Sequence, residues 1–166
     1  MTKLGDFEKG GGKIAVPEGL YRFRTSDFKG VVGTKSGAPY VVVDNVVVSA
    51  ATGKETVGKH FEMGFSLSPN AQSIAYAWLT AMGLTDADEV PTEDPEELER
   101  FLKQKCKGKY LEAHIEKGKN DQGYDNNGVT PPWEIWGIDL TAEEAEAYNG
   151  IGTKDNSGEE LPAWAK

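Results

Sequence analysis

Basic and aromatic side chains alternate along several stretches of this chain. Arg22 and Arg24 flank Phe23, Lys35 precedes Tyr40, Lys59 precedes Phe61, and Lys107 and Lys109 lead into Tyr110. Guanidinium and ammonium groups neutralise phosphates, and flat rings stack on nucleobases with little regard for sequence. The candidates for that chemistry are Arg22, Arg24, Lys35, Tyr40, Lys59, Lys107, Lys109, Tyr110 and Trp133. Lys103 and Lys105 could extend the path, and Trp136 offers another ring. Plainer roles stay open for the same residues. Arg22 and Arg24 could be solvated strand residues, and the lysines from Lys103 to Lys109 could simply complement a helix C-terminus. Glu62, Glu112 and Glu116 would weaken a basic face that they shared.

Catalytic patterns are missing by comparison. Gly53–His60 matches the first part of a phosphate-binding loop, but His60 stands where Ser or Thr must hold magnesium. The match also falls between two strands, so no helix N-terminus awaits the phosphates. His60 and His114 are predicted on outer strand faces without ligand-spaced carboxylates, so no zinc site is expected. The run Asn120–Gly128 resembles a calcium loop until its twelfth position from Asp121, which is Pro132 instead of a bidentate Glu. Cys106 is the single cysteine, which leaves no disulfide framework. A binding protein with no catalytic residue, metal or cofactor is expected.

The elements that position these residues follow from periodicity. Residues 1–16 hold Gly10-Gly11-Gly12 and read as a flexible arm. Leu20–Phe28 alternates, placing Tyr21 and Phe23 on a core face and Leu20, Arg22 and Arg24 on the other. Gly30–Pro39 reads as a mobile loop with Lys35 near its tip. Tyr40–Ser49 is a valine-rich strand, with a bulge or exposed pair at Asp44-Asn45. Val57–Phe65 is a third strand, with Lys59, Phe61, Met63 and Phe65 on one face. The period then changes. Ser68-Pro69 opens a helix carrying Ala71, Ile74, Ala75, Trp78 and Met82, and Gly83 ends it. Asp94-Pro95 opens a second, with Leu98, Phe101 and Leu102 inward.

Strand pattern resumes after Gly108, with Leu111, Ala113 and Ile115 inward. Tyr124–Ile138 is a final extended stretch broken by Pro131-Pro132. Thr141 with Glu144 reads as a capping box opening a short acidic helix through Tyr148, and 149–166 as a disordered tail. The expected fold is β-rich α+β: a five-stranded, OB-fold-like barrel over 17–138, a helical insert at 68–107 between strands three and four, and an acidic C-terminal tail within 139–166.

Length and charge bound the class. The chain has 166 residues and a formal net charge of −9, a length that suits one core. That charge excludes a wholesale basic nucleic-acid binder. Its layout is uneven, however. Residues 68–99 carry −8 and residues 120–166 carry −8, whereas 1–67 carry +2 and 100–119 carry +5. A basic face on an acidic protein is therefore expected. The longest apolar runs, Val41–Val43 and Val46–Val48, are far too short for a membrane span. Met1–Asp6 lacks a signal-type apolar region, so a cytoplasmic location is expected.

Two short motifs carry a resemblance. Val16-Pro17-Glu18-Gly19-Leu20-Tyr21-Arg22-Phe23, followed by Thr34-Lys35-Ser36-Gly37 and Ala38–Val43, resembles the opening of phage-encoded single-stranded-DNA-binding proteins. Gly58–Phe61 is similar to their third strand, and Leu84–Leu111 to their insert and fourth strand. The resemblance covers roughly residues 16–138. It implies an OB-fold that coats single-stranded DNA in phage replication or recombination, in a host cell's cytoplasm. Glu159-Glu160-Leu161-Pro162-Ala163-Trp164 is similar to the acidic, aromatic tip by which bacterial single-stranded-DNA-binding proteins dock replication or recombination partners. Ala165 and Lys166 follow the ring here, which mismatches a pocket built for a terminal carboxylate. Such a tail could instead be solubilising, and could compete with DNA for a basic groove. Homo-oligomerisation stays open. So do two other classes, an acidic interaction protein that mimics DNA toward a host protein, and an enzyme with a dispersed site.

Overall fold

The computed structural model describes residues 14–33, 37–119 and 123–152. Six strands form an antiparallel sheet: β1 (Gly19–Val32), β2 (Pro39–Ala50), β3 (His60–Ser66), β4 (Tyr110–Lys119), β5 (Asp125–Val129) and β6 (Ile135–Gly137). Three α-helices accompany them: α1 (Gln72–Ala81), α2 (Pro95–Lys105) and α3 (Ala142–Tyr148). The sheet order is β3-β2-β1-β4-β5, and β6 also pairs with β4. The chain is thus β-rich α+β, with an open sheet among the described residues and one strand more than expected.

The extra strand comes from the proline-broken stretch. Ile115 pairs with Val129 and Ala113 with Ile135, so two steps along β4 face six along the opposing chain. The surplus residues leave the sheet as an excursion carrying Pro131, Pro132 and Trp133. Proline cannot donate to a ladder, so the break falls where the prolines are.

Core and outer faces follow the alternation. Tyr21, Phe23, Phe61, Phe65, Leu111, Ala113 and Ile115 are all buried. Phe23 meets Phe61 edge-on at 5.5 Å between ring centroids, and Phe65 stacks on Trp78 of α1 at 5.4 Å. Apolar burial of this kind is the main driving force of folding. Cys106 lies in the same core, where burial pushes its thiol up to about 11.

Two register shifts bend the long strands. Val48 on β2 and Ser26 on β1 are each left without a partner in the β1–β2 ladder. Extra residues of this sort sharpen local twist. The second lies on β1, opposite the Asp44-Asn45 stretch. Asp44 and Asn45 themselves are buried, not exposed as one reading of the sequence had it. Asp44 Oδ2 lies 2.8 Å from His60 Nδ1, so His60 is enclosed on its outer face instead of solvated.

Other boundaries move for local reasons. β3 begins at His60, because Lys54–Thr56 forms a 3₁₀ turn and Val57–Lys59 completes the connection. Lys59 is therefore exposed outside the strand and shares no face with Phe61. Ser68 caps with no side-chain bond, since a 3₁₀ turn at Pro69–Ala71 precedes α1. Residues 14–16, expected within the arm, are packed on the sheet. Val16 is fully buried, the Ile14 N–H donates to His60 O, and Val16 exchanges two 2.8 Å hydrogen bonds with the Asn127 side chain. That segment links β3 to β5, the two ends of the sheet path.

α2 covers the half of β1 that β4 does not reach. The Asp94 carboxylate caps it by accepting from Glu96 N at 3.0 Å, and Glu99 accepts from the Gly30 N–H at 2.9 Å. A Cβ on Gly30 would stand 2.1 Å from Pro95 O, a backbone atom. Gly30→Ala is therefore expected to destabilise the fold by about 1–3 kcal/mol in chemical denaturation, through overpacking. An unchanged midpoint would show that α2 can shift away from β1.

Candidate nucleic-acid interface

Antiparallel partners share a face, so strand pairing builds the outer surface directly. Arg22 lies opposite Ser49 of β2 and Glu112 of β4, and Glu112 lies opposite Trp136 of β6. Ser49, Arg22, Glu112 and Trp136 therefore form one row across the strands. A second row runs His60, Val46, Arg24, Tyr110. Trp136 and Trp133 are both more than half exposed, at 56% and 58%. Large rings left in water are the informative exception on a protein surface, and Trp136 stands in the Arg22 row, two strands away.

The arginines are part-exposed and held by partners within the chain. Arg22 Nε bonds Glu112 Oε2 at 3.0 Å, while its Nη1 meets Glu144 Oε2 of α3 and the Tyr148 hydroxyl at 3.3 Å. The hydrogen bond to Tyr148, then those to Glu144 and Glu112, raise the Arg22 guanidinium further above its usual range. Glu144 is held below the ordinary carboxylate range, first by the Thr141 N–H and then by Arg22. Arg24 Nη1 donates to the Tyr148 carbonyl at 3.3 Å and to the Tyr110 hydroxyl at 3.4 Å, and Nη2 donates to the Ile151 carbonyl. Its guanidinium also lies 5.8 Å from the Tyr110 ring centroid, within cation–π range.

α3 is held at its start by the expected capping box: Glu144 N donates to Thr141 Oγ1 at 3.1 Å, and Thr141 N to Glu144 Oε1 at 3.0 Å. Asn149–Gly152, expected to open the tail, are packed against the sheet. Gly152 packs so closely on Val46 that a Cβ there would stand 2.3 Å from Cγ1 and 3.3 Å from Gly58 O.

The remaining sequence candidates divide. Lys107 and Lys109 are exposed in the turn before β4. Lys109 borders a polar crevice of about 460 Å³ between the end of α1, Tyr110 and Ile138. Lys59 is exposed beside Gly58, at the far end of the second row. Tyr40 belongs to a different region. Its ring lies over Gly64 on the β2–β3 side, where a Cβ would meet it at 2.5 Å, and burial raises its hydroxyl pKa. Tyr40 is thus a half-buried cover for a glycine, apart from the arginine rows. Lys35 and the tail residues Glu159, Glu160, Leu161, Pro162 and Trp164 lie outside the described residues.

Two contributors to this surface escape a reading by strand pattern. Glu144 and Tyr148 stand four residues apart on α3, which puts them on one helix face. That spacing was visible, but its partner surface was not. Lys117 and Lys119 rise on the β4–β5 hairpin with the parity of Ile115, so they lie on the opposite face from the arginines, and both pair with Asp125, at 3.6 and 2.8 Å. Among the described residues no group of three His, Cys, Asp or Glu could hold a metal ion, and no helix is long and apolar enough to cross a membrane. No protein-family model matches this chain, and no curated protein is significantly similar to it.

Proposed function

We propose that this chain binds single-stranded DNA, largely without regard to sequence, and acts by binding rather than by turnover. One arrangement carries the proposal: Arg22, Arg24, Tyr110 and the exposed Trp136 share one sheet face. Guanidinium and ammonium groups would hold phosphates while Trp136, Trp133 and Tyr110 stack on bases. The resemblance to phage-encoded single-stranded-DNA-binding proteins supports a role in coating strands during replication or recombination.

We read the architecture as a variant OB-fold. Its support is the strand order, a helical insert between β3 and β4, and the Ile14–Val16 segment that ties β3 to β5. In such a fold the strand would run across the strands of the sheet, along the two rows.

Titration of labelled oligo(dT) and of duplex DNA at about 50 and about 300 mM salt tests the proposal. Neutralising about four phosphates gives a log–log salt slope of roughly −3, or about a 200-fold loss over that range. Tighter binding to the single strand than to duplex is expected. Equal affinity for both, or no binding at low salt, would overturn the proposal and favour the acidic-mimic alternative.

A further inference from the structure

The two arginines best placed to hold phosphates are already held from within the chain. Residues 141–152 leave β6 and cross the outer face from β4 over β1 to β2. Each contact resembles one that a nucleic-acid strand would make. The Glu144 carboxylate takes the place of a phosphate at Arg22. The carbonyls of Tyr148 and Ile151 accept from Arg24 as phosphate oxygens would. The Tyr148 ring lies tilted by 30° beside the Tyr110 ring, centroids 5.9 Å apart, and so covers a ring that a base would use. Gly152 then reaches Val46 and Gly58, so the segment follows the second row to its end.

We propose that α3 and the strap Asn149–Gly152 form a displaceable internal competitor that closes this face in the free protein. This rests on the single-strand-binding proposal and adds its regulation. Displacement is physically easy for three reasons. α3 has seven residues and none of them is buried, and a helix so short is marginal by itself. Its ion pair with Arg22 is part-exposed, with side-chain accessibilities of 29% and 32%, and such pairs hold weakly. The capping box keeps the helix wound, but it does not attach the helix to the sheet. Trp136, Trp133 and Lys109 stay open while α3 is docked. A strand can therefore stack on them first and then replace Glu144 at Arg22. Binding and undocking become linked, and the apparent affinity falls in proportion to the closed population.

The test uses the full chain with the double substitution Glu144→Gln and Tyr148→Ala, titrated with oligo(dT) beside the unaltered protein. Removing the competitor should tighten binding about 5- to 20-fold, the effect of a face that is closed most of the time. Hydrogen exchange supplies a second readout that does not depend on the variant. Amides of Ala145–Tyr148 should exchange faster when oligo(dT) is added to the unaltered protein. A purely structural α3 would keep or gain protection, and with unchanged affinity in the variant that result overturns the inference. If the unaltered protein binds no oligo(dT) at low salt, the single-strand-binding proposal itself fails, which is a separate outcome.

Discussion

Trp136→Ala is expected to weaken oligo(dT) binding by about 5- to 150-fold, because base–aromatic stacking contributes about 1–3 kcal/mol per base. Three features make Trp136 the residue to test first. It stands on β6 opposite Glu112, in the row that contains Arg22. It is 56% exposed, so little of its ring supports the core. It also lies on a strand rather than a loop, and β-pairing holds its position before any ligand arrives. The thermal midpoint should hardly move, since exposed positions away from caps and networks usually change stability by under about 0.5 kcal/mol. Trp133→Ala should add a further loss, smaller if the excursion between β5 and β6 moves. Fluorescence anisotropy for affinity and calorimetry for stability separate the two effects. Unchanged affinity in the variant lacking both tryptophans would remove tryptophan stacking from the mechanism.

The largest stability effect should come from Phe23→Ala, at about 3–5 kcal/mol. Phe23 is fully buried, and its ring is edge-on to Phe61 of β3 across the inner face. β1 carries Arg22 and Arg24 on either side of it, so the same strand anchors the core and presents the arginines. Domains of this size are stable by only about 5–15 kcal/mol, so the variant would sit near the folding threshold. Urea denaturation should show the lowered midpoint, and any loss of DNA binding should track the unfolded fraction. A fall of less than about 1 kcal/mol would mean that the core closes over the missing ring.

Much of this molecule was legible in the chain. The alternation Leu20–Arg24 placed Tyr21 and Phe23 inside and Arg22 and Arg24 outside, because a strand has a period of two. Leu111, Ala113 and Ile115 followed by the same rule. Asp94-Pro95 marked the start of α2, and Thr141 with Glu144 marked the start of α3, because caps are short-range chemistry between residues two or three apart. Six strands instead of five reflect an ambiguity that periodicity cannot resolve. A proline break can end a strand or merely interrupt it, and here pairing on β4 resumes after the excursion.

Local pattern also names a face without saying what covers it. Lys59 looked continuous with Phe61, but a 3₁₀ turn delays the strand by three residues. His60 has outward parity and is nevertheless enclosed beside Asp44. Tyr40 looked like a stacking ring, and it lies over Gly64 because β3 offers no side chain there.

The sequence by itself determined the three helices and where α2 and α3 begin, the inner and outer faces of β1 and β4, and the separation of acidic from basic segments. Those properties depend on residues within a few positions of one another. Only the tertiary structure decided that Arg22 meets Glu144 and Tyr148, and that Arg24 meets the carbonyls of Tyr148 and Ile151. More than a hundred residues separate those partners. Their meeting depends on where β6 releases the chain, and no short-range preference encodes that. Arg22 and Arg24 share an outer face with Glu112, and α3 with Asn149–Gly152 lies across it.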